Sequence, residues 1–167
     1  MEGYESLVRQ TKIGDVASFS KLYEAIYQDL YRFALYTLKN THDAEDVVSD
    51  TIMDVWQEIH SLRKVEAFKA WVFKILTNKC KKRLKQYVTK TSELKENMTA
   101  DSRDICEDMD VRKAFARLSD EERLILALNI FGGYNSREIG KTLFMSDNTV
   151  RSKQSRALKK MKDYLLK

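Results

Sequence analysis

Asn135-Ser136-Arg137-Glu138-Ile139-Gly140-Lys141-Thr142-Leu143-Phe144-Met145-Ser146-Asp147-Asn148-Thr149-Val150-Arg151-Ser152-Lys153-Gln154-Ser155-Arg156-Ala157 reads as two short helices joined by a tight turn. Asn135 and Glu138 form a capping box, in which an N-cap side chain and a glutamate three residues on satisfy each other's backbone N–H groups. Ile139 and Leu143 then share one face of the first helix. A turn falls at Phe144-Met145. Ser146 is a good N-cap for a last helix whose buried stripe is expected to be Val150, Ala157, Leu158, Met161 and Leu165. Gly140, with no side chain, is expected to let the first helix approach the second near Val150. Phe144 is the awkward residue, because such a turn usually wants glycine and a bulky side chain at positive φ is strained.

At about 100° per residue, Thr149, Ser152, Lys153, Arg156 and Lys160 fall opposite that apolar stripe, so the exposed face is expected to be basic and polar. Such a helix fits the major groove, about 12 Å wide, where Arg and Lys donate to guanine O6 and N7 and hydroxyls serve base edge or phosphate. Arg151, Lys159 and Lys162 suit phosphates. Charge alone would equally describe the solvated face of any terminal helix. Two capped helices, a tight turn, a small residue at the contact and a basic second helix are together the anatomy of a DNA-reading helix-turn-helix.

Upstream, Ser119 and Glu122 form another capping box, opening a helix through Leu124, Ile125, Leu128 and Ile130 that stops at Gly132-Gly133. Val111, Ala114, Phe115 and Leu118 precede it at helical spacing. Tyr87 to Asp110 is polar, with almost no periodic apolar face, and reads as linker. Before it, Phe19, Leu22, Tyr23, Ile26, Leu30, Phe33, Ala34 and Leu38 recur at three and four, and Gly14 separates this helix from an earlier one. A third helix is expected from about Thr41 to His60 and a fourth from about Val65 to Gln86. With no proline and five glycines in 167 residues, the fold class is all-α. Two small helical domains, 1–90 and 111–167, are joined by a flexible linker, 91–110.

Thirty Lys and Arg against 25 Asp and Glu give a net charge of +5, compatible with a polyanionic partner. Cys80 and Cys106 stand alone, with only His42 and His60 elsewhere, so neither a zinc site nor a disulfide framework is suggested and no cofactor is expected. No apolar run reaches a membrane span and the N-terminus lacks signal-peptide features, which points to the cytoplasm. No carboxylate pair, His cluster or phosphate loop stands in a frame that would suit an enzyme.

Charge is segregated in the N-terminal half. Six acids and no Lys or Arg lie between Asn40 and Glu58. Asp43, Asp46, Asp50 and Asp54 share a narrow arc, while Val48, Ile52, Val55 and Ile59 cluster about half a turn away. Val47, beside the acidic stripe, is expected to be exposed. An acidic strip with an apolar residue in it suits a basic protein partner and repels DNA. The next helix reverses the sign, with seven bases and no acid from Lys74 to Lys90. Lys74, Asn78, Lys81 and Lys85 share one face, and Phe68, Trp71, Val72 and Ile75 form another, read as core.

Phe19-Ser20-Lys21-Leu22-Tyr23, Leu30-Tyr31-Arg32-Phe33-Ala34, Asp43-Ala44-Glu45-Asp46-Val47-Val48 with Val55-Trp56, and Phe68-Lys69-Ala70-Trp71-Val72-Phe73 with Asn78 resemble region 2 of the extracytoplasmic-function (ECF) group of bacterial RNA polymerase sigma factors. Leu118-Ser119-Asp120-Glu121-Glu122, Glu138-Ile139-Gly140 and Thr149 through Ala157 resemble region 4. The resemblance implies a protein that is not an enzyme and that brings polymerase core to promoters. It implies core binding by Asp43, Asp46, Val47, Asp50 and Asp54. It implies minus-10 contacts by Arg63, Lys64, Lys74, Asn78, Lys81 and Lys85. It implies minus-35 contacts by Thr149, Arg151, Ser152, Lys153, Ser155, Arg156 and Lys160, and an anti-sigma factor as a further partner.

The family commonly has proline after the leucine at 118, alanine at 140, glycine at 144 and an acid four past the asparagine at 78. This chain has Ser119, Gly140, Phe144 and Lys82 there. The alternative is a helix-turn-helix repressor or activator whose N-terminal bundle dimerises. A dimerising bundle would need an apolar seam where the acidic stripe lies.

Overall fold

The computed structural model of the chain describes residues 3–90 and 109–167, and every regular element among them is helical. The first half comprises α1 (Tyr4–Lys12), α2 (Val16–Leu38), α3 (Thr41–Glu58) and α4 (Phe68–Thr89), with 3₁₀ turns at Ile59–Ser61 and Val65–Ala67 before α4. The second half comprises α5 (Met109–Ala116), α6 (Asp120–Ile130), α7 (Ser136–Leu143) and α8 (Asp147–Leu165). Of the expected linker, Tyr87–Thr89 instead extend α4 and Met109 and Asp110 already belong to α5, while residues 91–108 lie outside the described residues.

The helix boundaries follow local chemistry. Gly14, at φ 94°, turns the chain between α1 and α2, and the Asp15 carboxylate caps α2 by accepting from the Ala17 N–H. Asn40 caps α3 in the same way through the Asp43 N–H. Both expected capping boxes form, at Ser119 with Glu122 and at Asn135 with Glu138, and Ser146 accepts from the Thr149 N–H to open α8. The fourth helix starts at Phe68 rather than Val65 because Val65–Ala67 winds as a 3₁₀ turn.

α2 is the central strut of the first bundle: Leu22, Ile26, Leu30, Phe33 and Ala34 are buried along it, and the Phe33 and Phe73 rings meet edge to face at 5.7 Å. Buried Thr11, Thr51 and Thr77 each donate to the carbonyl four residues earlier, so their hydroxyls cost little inside the core.

Sequence patterning gave no sign of one further feature: the two halves share a continuous hydrophobic core. Tyr36 of α2 lies edge-on to Phe115 at 5.0 Å and tilted against Phe131 at 5.3 Å. Arg123 of α6, 2% exposed, donates through Nε to the Thr37 carbonyl of α2 at 3.1 Å. Its remaining nitrogens meet the Leu118 carbonyl and the Asp120 carboxylate, so the buried guanidinium is fully paired. The Tyr134 hydroxyl donates to the Ala70 carbonyl of α4. Burial, followed by the nearby Glu138 carboxylate, pushes the Tyr134 phenol up to about 12, so it remains a donor across the neutral range.

Candidate polymerase and DNA interfaces

On α3 the acidic residues divide between two tasks. Asp43 accepts from the Arg83 guanidinium at 2.9 Å and from the Tyr87 hydroxyl. Burial and the Asp43 carboxylate push the Tyr87 phenol well above its ordinary range. Asp54 lies 2.7 Å from Lys79 Nζ. Asp43, whose side chain is only 16% exposed, therefore binds α3 to α4 rather than lying on an open surface as expected, whereas Asp54 pairs with Lys79 and stays 38% exposed. Val47 is corrected too: it is 2% exposed, packed in the core with Ala44, Val48, Thr51 and Val55. The physical reason is phase. The buried arc of α3 is centred nearer Val47 and Thr51 than the cluster of Val48, Ile52, Val55 and Ile59 suggested, which draws Asp43 and Asp54 to its edge.

What remains outward on α3 is His42, Glu45, Asp46, Ser49, Asp50, Met53, Trp56, Gln57 and Glu58. Met53 is 60% exposed, and the half-exposed Trp56 ring rests on Phe19 at 4.9 Å. Sequence reading missed Glu45, Met53 and Trp56 here. The signal was present, since large apolar residues fell on the same side as Asp46 and Asp50.

α4 keeps its expected division. Phe68 and Val72 are buried, Trp71 and Ile75 half-buried, and Lys74, Asn78 and Lys85 exposed on one face with Lys82 beside them. Arg63 and Lys64 are exposed in the loop before it. Lys81 differs: it is half-buried, with Nζ 5.5 Å from the centroid of the Phe144 ring. A cleft of about 200 Å³ opens here between the halves, lined by Lys81, Leu84 and Lys85 of α4 and by Glu121, Leu124, Leu143 and Met145.

The helix-turn-helix forms from α7 and α8. Phe144 caps α7 in the left-handed region at φ 60°, ψ 46°, with its ring 89% exposed. A Cβ on Gly140 would come within 2.5 Å of the Met145 carbonyl oxygen, so Gly140 makes room for the turn backbone rather than for Val150. Gly140 also accepts the Met145 N–H at 2.9 Å.

The outward face of α8 is rotated from the expected one. Val150 and Ala157 are buried and Met161 half-buried, but Leu158 is 48% exposed and Leu165 is exposed as well. Dropping those two leucines moves the stripe toward Lys153 and Lys160, which flank it and pair with α6. Lys153 Nζ lies 2.6 Å from Glu121 and Lys160 Nζ 2.7 Å from Glu122. Burial raises the Glu122 carboxyl, but the Lys160 and Ser119 hydrogen bonds outweigh it and leave Glu122 below its ordinary value. Neither lysine stands opposite the stripe. Ser152, Ser155 and Arg156 do face solvent, as does Thr149, whose hydroxyl meets Ser146. Arg151 is exposed but lies 3.1 Å from Asp147, a carboxylate that also accepts from Ser136.

Among the described residues, no group of three or more His, Cys, Asp or Glu could hold a metal ion, and no helix is long and apolar enough to cross a membrane.

Residues 22–88 match the family described as Sigma-70 region 2, and residues 114–163 match Sigma-70, region 4. The chain belongs to the sigma-70 family of RNA polymerase sigma factors, in its extracytoplasmic-function group. It is 29% identical to RNA polymerase sigma factor SigV of Bacillus subtilis (strain 168), over 84% of this chain and 86% of that one. It is 23% identical to ECF RNA polymerase sigma factor SigX of the same organism, over 89% of this chain and 84% of that one. The fold is similar to that of the sigma factor RpoE of Bartonella quintana, solved with the anti-sigma factor NepR. That match has a TM-score of 0.73 and 24% identity, covering 90% of this chain and 98% of that one.

Proposed function

We propose that this sigma factor docks on core polymerase through the exposed strip of α3, Glu45, Asp46, Asp50, Met53 and Trp56. In this reading Asp43, Val47 and Asp54 support the strip from behind. The region 2 module, 1–90, presents Arg63, Lys64, Lys74, Asn78, Lys81 and Lys85 to the minus-10 element. The region 4 module, 111–167, presents Thr149, Arg151, Ser152, Ser155 and Arg156 to the minus-35 element, with Lys153 and Lys160 steadying the reading helix against α6. Residues 91–110 tether the modules, so two modest DNA contacts reinforce each other through effective concentration.

One observation carries the reading: consecutive helices of one bundle turn opposite charges outward, Asp46 and Asp50 on α3 against Lys74, Lys82 and Lys85 on α4. Acid there favours a basic protein surface and rejects phosphate, while the base beside it does the reverse. The chain would contribute binding and orientation, with no bond-making step of its own, and would work in the cytoplasm. An anti-sigma factor, as bound by RpoE of Bartonella quintana, would be its natural antagonist.

In vitro transcription with core polymerase, with and without this chain, tests the reading. Promoter-dependent transcripts are expected only when it is added. Transcription that does not depend on the chain, with the chain merely blocking a template, would overturn it in favour of a repressor.

A further inference from the structure

We propose, resting on the minus-10 roles assigned above to Arg63 and Lys64, that Lys12 of α1 is a positioning residue that sets the angle at which those two side chains meet DNA. α1 precedes residues 22–88, the span that matches region 2, and none of the contacts proposed above uses it.

The segment bearing Arg63 and Lys64 has little internal support. Ile59–Ser61 and Val65–Ala67 are single 3₁₀ turns, and between them Leu62 and Lys64 are extended, at ψ 116° and ψ 114°. Its backbone bonds close the two turns: the Leu62 N–H donates to the Ile59 carbonyl and the Ala67 N–H to the Lys64 carbonyl. Single 3₁₀ turns have poorer hydrogen-bond geometry than an α-helix and serve as connectors, so they fix the direction of the chain only weakly.

Two contacts on one residue supply the missing constraint. The Leu62 side chain is 6% exposed, and the Leu62 carbonyl accepts from Lys12 Nζ at 2.6 Å. Residue 62 is therefore pinned by both side chain and backbone, and the next two side chains are exposed. The anchor is itself well seated. Val8 and Thr11 are buried, and α1 packs against α2 and against both 3₁₀ turns. Lys12 is the last residue of α1, and Gly14, at φ 94°, turns the chain away just after it. Its ammonium is half-buried and meets a backbone carbonyl across 50 residues of sequence. A charge-assisted hydrogen bond of this kind is about twice as strong as a neutral one.

Two variants of the full chain test this. Lys12→Met keeps the stem and removes the ammonium, while Lys12→Arg restores a charged donor. Trypsin cleavage after Arg63 and Lys64 in the chain without polymerase tracks opening of the segment. It is expected to be about five- to ten-fold faster in Lys12→Met and near the unaltered rate in Lys12→Arg. A rate unchanged by Lys12→Met, or raised equally by both variants, would overturn the proposal. Holoenzyme is then bound to a promoter fragment transcribed in the assay above, with its minus-10 segment left single-stranded. Lys12→Met is expected to weaken binding about three- to ten-fold. It should weaken it no further once Arg63 and Lys64 are both alanine, because it acts through them. An additive loss would make Lys12 a DNA contact in its own right, against the proposal. If the Arg63→Ala, Lys64→Ala chain binds as before, the minus-10 reading fails and this inference with it. A loss in that chain with none from Lys12→Met overturns the positioning role alone.

Discussion

Arg83 grips Asp43 at 2.9 Å while Tyr87 donates to the other carboxylate oxygen, so the first aspartate of α3 is committed to α4 and not to a partner. Asp43→Ala would leave a half-buried guanidinium and a phenol without their acceptor, and is expected to lower stability by about 1–3 kcal/mol. Thermal unfolding reads this as a lower Tm.

Charge reversal at Asp46 and Asp50 is expected to do the opposite. Both side chains are exposed. Their replacement by lysine should change stability by no more than about 0.5 kcal/mol, yet weaken association with core polymerase at low salt. Unchanged association in a folded double variant would rule out α3 as the docking strip.

Gly140 and Phe144 exchange the residue sizes usual in the family, and the turn geometry links them. Gly140→Ala would drive its Cβ into the Met145 carbonyl, which is backbone and cannot swing aside. A loss of about 1–3 kcal/mol is expected. Phe144→Gly relieves the positive φ and should raise stability of the helix-turn-helix by about 1 kcal/mol. The two effects should be non-additive in a double-mutant cycle, because both act through the same turn. Additive values would separate them.

Helix positions, caps and the two-module order were legible because they depend on neighbours a few residues apart: Ser119 with Glu122, Asn135 with Glu138, Gly14 between α1 and α2. The faces were less legible. Val47 could be placed on a surface only by fixing the centre of a stripe to within one residue, and Leu158 and Leu165 pulled the stripe of α8 the wrong way. Pairings such as Lys153 with Glu121 and Arg123 with Thr37 join residues far apart in the chain, which periodicity does not encode.

Glu122 ties the capping box of α6 to Lys160, and its folded-state value lies below the ordinary one. A depressed carboxylate contributes stability that is complete above its unfolded value, about 4.3, and is lost as pH falls through the lower folded value. Unfolding midpoints measured across the acid range should therefore fall less steeply in Glu122→Gln than in the unaltered chain. Parallel curves would show that this carboxylate is not linked to folding.

Arg156 and Lys153 separate reading from support on α8. Arg156 is exposed, with only a 3.4 Å contact from Nε to the Ser152 carbonyl, so its guanidinium is available to DNA. Arg156→Ala should cost about 1–3 kcal/mol at one base position of the minus-35 element if it reads a base edge, and weaken all sequences alike if it meets phosphate. Lys153 is held by Glu121, and Lys153→Ala should disturb binding less while lowering Tm, because its role is to fix the angle of α8 against α6. Binding of polymerase holoenzyme to promoters altered one base pair at a time distinguishes these outcomes. A base-specific loss from Lys153→Ala, with none from Arg156→Ala, would return the reading face to the orientation expected from the sequence and overturn the rotated one.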